Sequence, residues 1–167
     1  MHEWINLAMA HLGNTRAQSE IGRYYFDQSD RDNALKWLNC AAKKMDSASI
    51  VALGNCHYLD DDIENALHYY QQADQLENAE ASYYMGFLYF SGEGVPEDRE
   101  KAFAYYQRSA ARGYPDAIHM LAWCYEQGVG TKKDIPRAVE LWIKASEHGS
   151  EEAEEALKKY QDVAIEE

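Results

Sequence analysis

The apolar positions of this chain recur as a set. Ile21, Leu53, Met85 and Leu121 each stand just before a small residue, Gly22, Gly54, Gly86 or Ala122, and Tyr25, His57, Tyr89 and Tyr125 follow four positions after the first group. Such spacing places each set on one face of a helix. A second pattern follows every one of them, an alanine and then a bulky pair: Ala34 with Trp37-Leu38, Ala66 with Tyr69-Tyr70, Ala102 with Tyr105-Tyr106 and Ala138 with Leu141-Trp142. These spacings predict a unit of helix, turn and helix, with the bulky pair reaching neighbouring helices.

The register is that of an internal repeat. Asn78 to Gly113 lies over Tyr114 to Gly149 at an offset of 36 residues, matching Ala81 with Ala117, Asp98 with Asp134, and Gly92 and Gly94 with Gly128 and Gly130. Upstream the offset is 32, and it aligns Gly22, Gly54 and Gly86. Periods of this length belong to stacked helical repeats. Glycine inside a helix lowers its stability unless a neighbour must come close, so these three mark helix contacts. Gly13, Gly113 and Gly149 are expected as left-handed caps, while Pro115 and Pro136 fall at helix starts and Pro96 in a loop. The stretch from Trp4 to Leu12 reads as an unpaired second helix, and Ser150-Glu151-Glu152 opens a last helix in which Ala153 and Leu157 repeat Ala117 and Leu121. Cys56 and Cys124 are expected to be buried, at a position shared with Tyr24 and Leu88. The layout is all-α and a single repeat domain, 1–167: a half-repeat at 1–13, repeats at 14–45, 46–77, 78–113 and 114–149, and a capping helix and tail at 150–167.

Charge changes this picture regionally. The net charge of −13 excludes a nucleic-acid binder. Residues 1–44 and 99–146 are mildly basic, at +1 and +3, whereas 45–98 holds eleven acids and no Lys or Arg, and 147–167 carries −6. The longest apolar runs are too short for a membrane span, and the start lacks the basic region of a signal peptide. Cys40, Cys56 and Cys124 lack CxxC spacing, which favours a reducing, cytoplasmic setting; a periplasmic or secreted address stays open if the chain is a trimmed piece.

Little catalytic chemistry is legible. Gly92-Glu93-Gly94 has no preceding strand and no following Gly-Lys-Ser/Thr, so it is a repeat turn and not a phosphate loop. His57, Asp60, Asp61, Asp62 and Glu64 lack the twelve-residue loop of a calcium site. No zinc spacing, nucleotide fingerprint or Ser-His-Asp order occurs. The expectation is no enzyme activity, no cofactor, no metal and no small-molecule substrate.

Taken together, Ala-x3-Leu-Gly/Ala-x2-Tyr, Gly-x-Gly, Asp-x3-Ala, an aromatic pair and a terminal Gly resemble the Sel-one-like repeat family. The likeness covers nearly the whole chain and is strongest over Asn78–Gly149. The first two units depart from it: Asp27 to Asp32 and Leu59 to Asp62 form short turns, closer to the related tetratricopeptide repeat. The resemblance implies a right-handed α-solenoid of antiparallel helix pairs, an adaptor binding a protein or peptide along its concave side.

In that architecture the first helices line the inner surface. Three rows then face the groove: Ser19, Val51, Tyr83 and His119; Arg23, Asn55, Phe87 and Trp123; Phe26, Tyr58, Phe90 and Glu126. The candidate binding residues are Tyr58, Tyr83, Phe87, Phe90 and Trp123 as apolar anchors, with Arg23, Asn55 and His119 as polar partners. Two readings of the aromatics stand, groove lining or packing between repeats. The acids of 45–98 also have two readings, a rim that steers a basic partner or a solvated surface. A second function class is an immunity-type protein that inhibits a cognate toxin by direct binding, suggested by small size, acidity and the resemblance to a family that includes such proteins.

Overall fold

An acceptor side chain stands ahead of most helices. Asp30, Asp62, Asp98 and Asp134 precede the second helix of each unit and accept the backbone N–H of Asn33, Asn65, Lys101 and Arg137 at 3.3, 3.3, 2.9 and 3.0 Å. Asn14, Asp46, Asn78 and Ser150 do the same for Ala17, Ser49, Ala81 and Ala153 at 2.9, 2.9, 3.0 and 3.2 Å. Each bond satisfies a donor that the helix itself cannot, which is why Asp-x3-Ala recurs. Tyr114 makes no such bond; Pro115 follows it at the first helical position, where no N–H is needed.

The structure is a computed structural model that describes residues 2–147 and 150–161, with side chains from 6–147 and 150–160. Among the described residues there are ten helices and no strands: α1 (His2–His11), α2 (Thr15–Asp27), α3 (Arg31–Ala42), α4 (Ser47–Leu59), α5 (Ile63–Gln75), α6 (Ala79–Ser91), α7 (Arg99–Ala111), α8 (Pro115–Gln127), α9 (Ile135–Ser146) and α10 (Glu151–Gln161). The all-α class of paired helices is therefore as expected. The side chain of Trp4, the cap at Gly149 and the tail 162–167 lie outside the described residues.

The chain divides into two compact units, Met1–Ala81 and Ser82–Glu167. In the first, Trp37 packs with Ala10, Ala17 and Ile21, while Leu38 packs with Ala34, Ala52, Leu53 and Cys56. A buried polar link runs through this unit: Ser49 donates to the Ser19 hydroxyl at 2.8 Å, and Ser19 donates to Asp46 at 2.9 Å. In the second, Tyr106 packs with Ala102, Cys124 and Val129, and Trp142 with Ala122, Ala138, Ala145, Ala153 and Ala156. The cap helix α10 is held by Tyr160, which stacks on Trp142 at 5.7 Å and donates to Glu126 at 2.6 Å.

The in-helix glycines do mark close approach. A Cβ at Gly54 would lie 2.6 Å from the ring of Tyr70, and one at Gly86 would lie 2.8 Å from that of Tyr106. The Cδ1 and Cε1 atoms of each ring enter the notch that its glycine leaves. The turns contain a departure. Gly13 and Gly113 adopt φ of 87° and 85° as left-handed caps, but the equivalent positions in the first two units are Met45 and Glu77, at φ of 63° and 59°.

Three burial expectations change. Ser19 and Val51, expected to face a groove, are 8% and 1% exposed. Val51 is apolar and enters the core, while Ser19 is drawn in by its bonds to Asp46 and Ser49. Tyr24, expected to be buried, is 50% exposed. At the same register Cys56 packs on α2 and α3, and Cys124 on α6 and α7, whereas α2 has only α1 ahead of it. Among the described residues no other first helix stands ahead of α2 to cover Tyr24.

Candidate functional site

All eight candidate residues fall on first helices: Arg23 on α2, Asn55 and Tyr58 on α4, Tyr83, Phe87 and Phe90 on α6, and His119 and Trp123 on α8. They sort into two sets, one per unit.

In the first unit, Arg23 and Asn55 line a small cavity of about 80 Å³ that Asp27 and Glu80 also border. Arg23 is exposed, and Asn55 and Tyr58 are half-buried. Asn55 is also committed to its own fold, because its Oδ1 accepts the Tyr70 hydroxyl at 2.7 Å.

In the second unit, Tyr83, Phe87 and Phe90 follow helical spacing on α6, and His119 and Trp123 do so on α8. All five are half-buried. Phe90 and Trp123 meet edge to face at 5.5 Å and 86°, a favoured aromatic geometry. Both pack on the cluster around Tyr106 and Cys124. Tyr83 lies 5.9 Å from Tyr106 and 5.2 Å from Tyr114. These rings therefore support the core on one side and keep an accessible side. Burial, with Asp116 nearby, holds the Tyr83 phenol above its ordinary pKa. Glu126, in the same row as Phe90, is occupied by Tyr160 of the cap.

Tyr83 and His119 also line a larger cleft, of about 570 Å³, with Asp116, Met120, Lys144 and Glu152. Reading the sequence did not single out the last four as site residues. Asp116 and Glu152 sit in the first turns of α8 and α10 and Lys144 in the last turn of α9, so each reads as an ordinary helix-end charge. Only the packing of three helix ends gathers them.

The acidic segment has structural employment. Asp46, Asp62 and Asp98 are helix caps. Asp60 pairs with Arg31, Asp62 lies 2.9 Å from His57 Nδ1, and Asp74 is 9% exposed. Hydrogen bonds from Asn65 and His57 hold the Asp62 carboxyl below the usual range. Cys40, Cys56 and Cys124 are free thiols; burial raises the pKa of Cys56 and pushes Cys124 up to about 12, leaving both protonated at neutral pH. Among the described residues no three His, Cys, Asp or Glu side chains cluster to hold a metal, and no helix is long and apolar enough to cross a membrane.

Capped helix pairs repeating at 32 and 36 residues, with aromatics over in-helix glycines, define a helical-repeat protein. The chain belongs to the Sel1 repeat family, whose model matches residues 6–44, 47–73, 79–114 and 115–150. The first match takes in part of α1. A Sel1 repeat protein from Oxalobacter formigenes is 28% identical, aligns over 89% of this chain and 64% of its own, and superposes with a TM-score of 0.80. A protective antigen present in uropathogenic Escherichia coli strains, displaying an SLR fold, is 23% identical over 92% of this chain and 34% of its own, with a TM-score of 0.80. Helicobacter pylori cysteine rich protein B is 23% identical over 74% of this chain and 92% of its own, with a TM-score of 0.61. The last two are likenesses of fold. This chain spans less than two thirds of the first two relatives. No curated protein matches it. Sel1 repeat proteins generally mediate protein–protein interaction, and the family is typically a non-catalytic interaction scaffold.

Proposed function

We propose that this chain is a non-enzymatic adaptor whose second unit grips a partner protein or peptide through Phe87, Phe90 and Trp123, with Tyr83 and His119 at the edge of the contact. The observation that carries this reading is the edge-to-face pair of Phe90 and Trp123, half-buried beside Phe87. Core packing fixes these rings in place, so little side-chain entropy is lost when a partner covers what is left. In the first unit Arg23, Asn55 and Tyr58 form a secondary polar contact. The acids of 45–98 favour a partner with basic residues beside its apolar anchors, and the three free thiols suit a reducing compartment.

Pull-down from the native host, followed by titration of the captured protein, tests the reading. Phe87→Ala and Trp123→Ala should each weaken binding by about 1–3 kcal/mol. Circular dichroism must show both variants folded, because Trp123 also contacts core residues. Unchanged affinity in a folded double variant removes the proposal. An inhibitor of a cognate toxin would use the same face, and its distinguishing mark is a secreted toxin encoded in the neighbouring reading frame.

A further inference from the structure

Within the second unit, the cleft between the ends of α8, α9 and α10 has a built interior that the proposed adaptor role leaves unused. Its volume of about 570 Å³ suits a long side chain. Pro115, Ile118, Met120 and Ala145 give it an apolar wall, and the ring of Tyr83 closes one side. Asp116 and Glu152 are exposed on its border, and Lys144 is the one lysine or arginine among the lining residues.

We propose that this cleft receives a single cationic side chain, an arginine or lysine, from the partner that the aromatic face binds. Methylenes of such a side chain would lie along the apolar wall and its head group against the Tyr83 ring, between the two carboxylates. The helix ends are already matched by their own charges: Asp116 and Glu152 occupy the first turns of α8 and α10, and Lys144 the last turn of α9, so the balance of the lining charges decides the sign of the preferred ligand. Two carboxylates against one ammonium leave the cleft short of positive charge, and Glu151 and Glu154 on the first turn of α10 deepen that deficit. His119 adds to the lining, with a Nδ1 that is buried and without a hydrogen-bond partner among the described residues.

The proposal rests on the adaptor reading for its biological use, but its test needs no partner. The full chain is titrated with Nα-acetyl-arginine amide and, separately, Nα-acetyl-glutamate amide, and the Gly113 and Ser150 amide resonances are followed. The arginine probe should bind saturably with a Kd of about 1–10 mM, the range open to one side chain. Asp116→Asn combined with Glu152→Gln should weaken it at least about threefold by removing both carboxylate charges. Lys144→Gln, which alters no cap, should instead tighten it about twofold or more by removing the competing ammonium. Preference for the glutamate probe, weaker arginine binding in Lys144→Gln, or no saturable shift with either probe would overturn the inference. If the arginine probe fails while Phe87→Ala and Trp123→Ala still release the partner, the cleft proposal falls alone.

Discussion

Two tyrosines at the same repeat position show how one residue changes the balance at its neighbour. Tyr70 and Tyr106 are 1% and 0% exposed, each lying over an in-helix glycine. The Tyr70 hydroxyl donates to Asn55. In the next unit the place of Asn55 is taken by Phe87, and the Tyr106 hydroxyl has no hydrogen-bond partner among the described residues. An unsatisfied buried hydroxyl costs about 1–3 kcal/mol, close to the cost of breaking a bond that leaves one. Burial accordingly raises the Tyr106 phenol far above its ordinary pKa. Tyr70→Phe should destabilise the fold by about 1 kcal/mol, since Asn55 loses its donor, while Tyr106→Phe should be neutral or stabilising by up to about 1 kcal/mol. Urea denaturation of the two variants beside the parent measures both. A greater loss for Tyr106→Phe than for Tyr70→Phe would show that the hydroxyl of Tyr106 is satisfied. The phenylalanine at the place of Asn55 is also the proposed anchor, so an apolar contact proposed at this position coincides with a buried hydroxyl left unmet.

Elements are bounded here by carboxylates, and that gives their stability a pH dependence. Asp98 is held below its ordinary pKa chiefly by the Lys101 backbone N–H, and Asp62 by Asn65 and then His57. A carboxyl whose folded pKa lies below its unfolded value adds stability above the unfolded value, about 4, and loses it as pH falls through the folded value. The melting temperature should therefore fall as pH drops below about 4. Asp98→Asn keeps an acceptor at the cap and should flatten that fall with little change at neutral pH; Asp98→Ala, which removes the acceptor, should lower the melting temperature at pH 7 as well. An unchanged acid slope in Asp98→Asn, measured by thermal melts from pH 7 downward, would remove this cap from the explanation. These boundaries were legible because capping is local: Asp-x3-Ala states both the acceptor and the first buried position. The turns at Met45 and Glu77 were less so, since residues without glycine's freedom hold the same left-handed geometry when the helices on either side fix it. Burial of Val51 and exposure of Tyr24 depended on which neighbour stands beside each helix. The candidate aromatics were found by periodicity, but their double role needed the packing of Phe90 and Trp123 on Tyr106 and Cys124. Asp116, Lys144 and Glu152 are distant in sequence and meet only through tertiary structure.

For the molecule as a whole, the charge of −13 acts over distances that single contacts do not reach. Hydrogen bonds hold the Asp62 and Asp98 carboxyls below their ordinary pKa, so both capping residues keep their charge and contribute to the field felt by an approaching partner. The field and the aromatic face should then govern different steps. Attraction between exposed charges decays over about 10 Å at 0.1 M salt, whereas apolar contact is insensitive to such screening. With a basic partner, the association rate constant should fall about tenfold between roughly 0.05 and 0.5 M NaCl, while the dissociation rate constant changes less than about twofold. Phe87→Ala should do the reverse, raising dissociation about tenfold or more at constant salt and leaving association nearly unchanged. Stopped-flow association and dilution-induced dissociation separate the two. An association rate that rises with salt would mean that the partner approaches against the field and is acidic; a salt effect confined to dissociation would place the charges inside the contact and not around it.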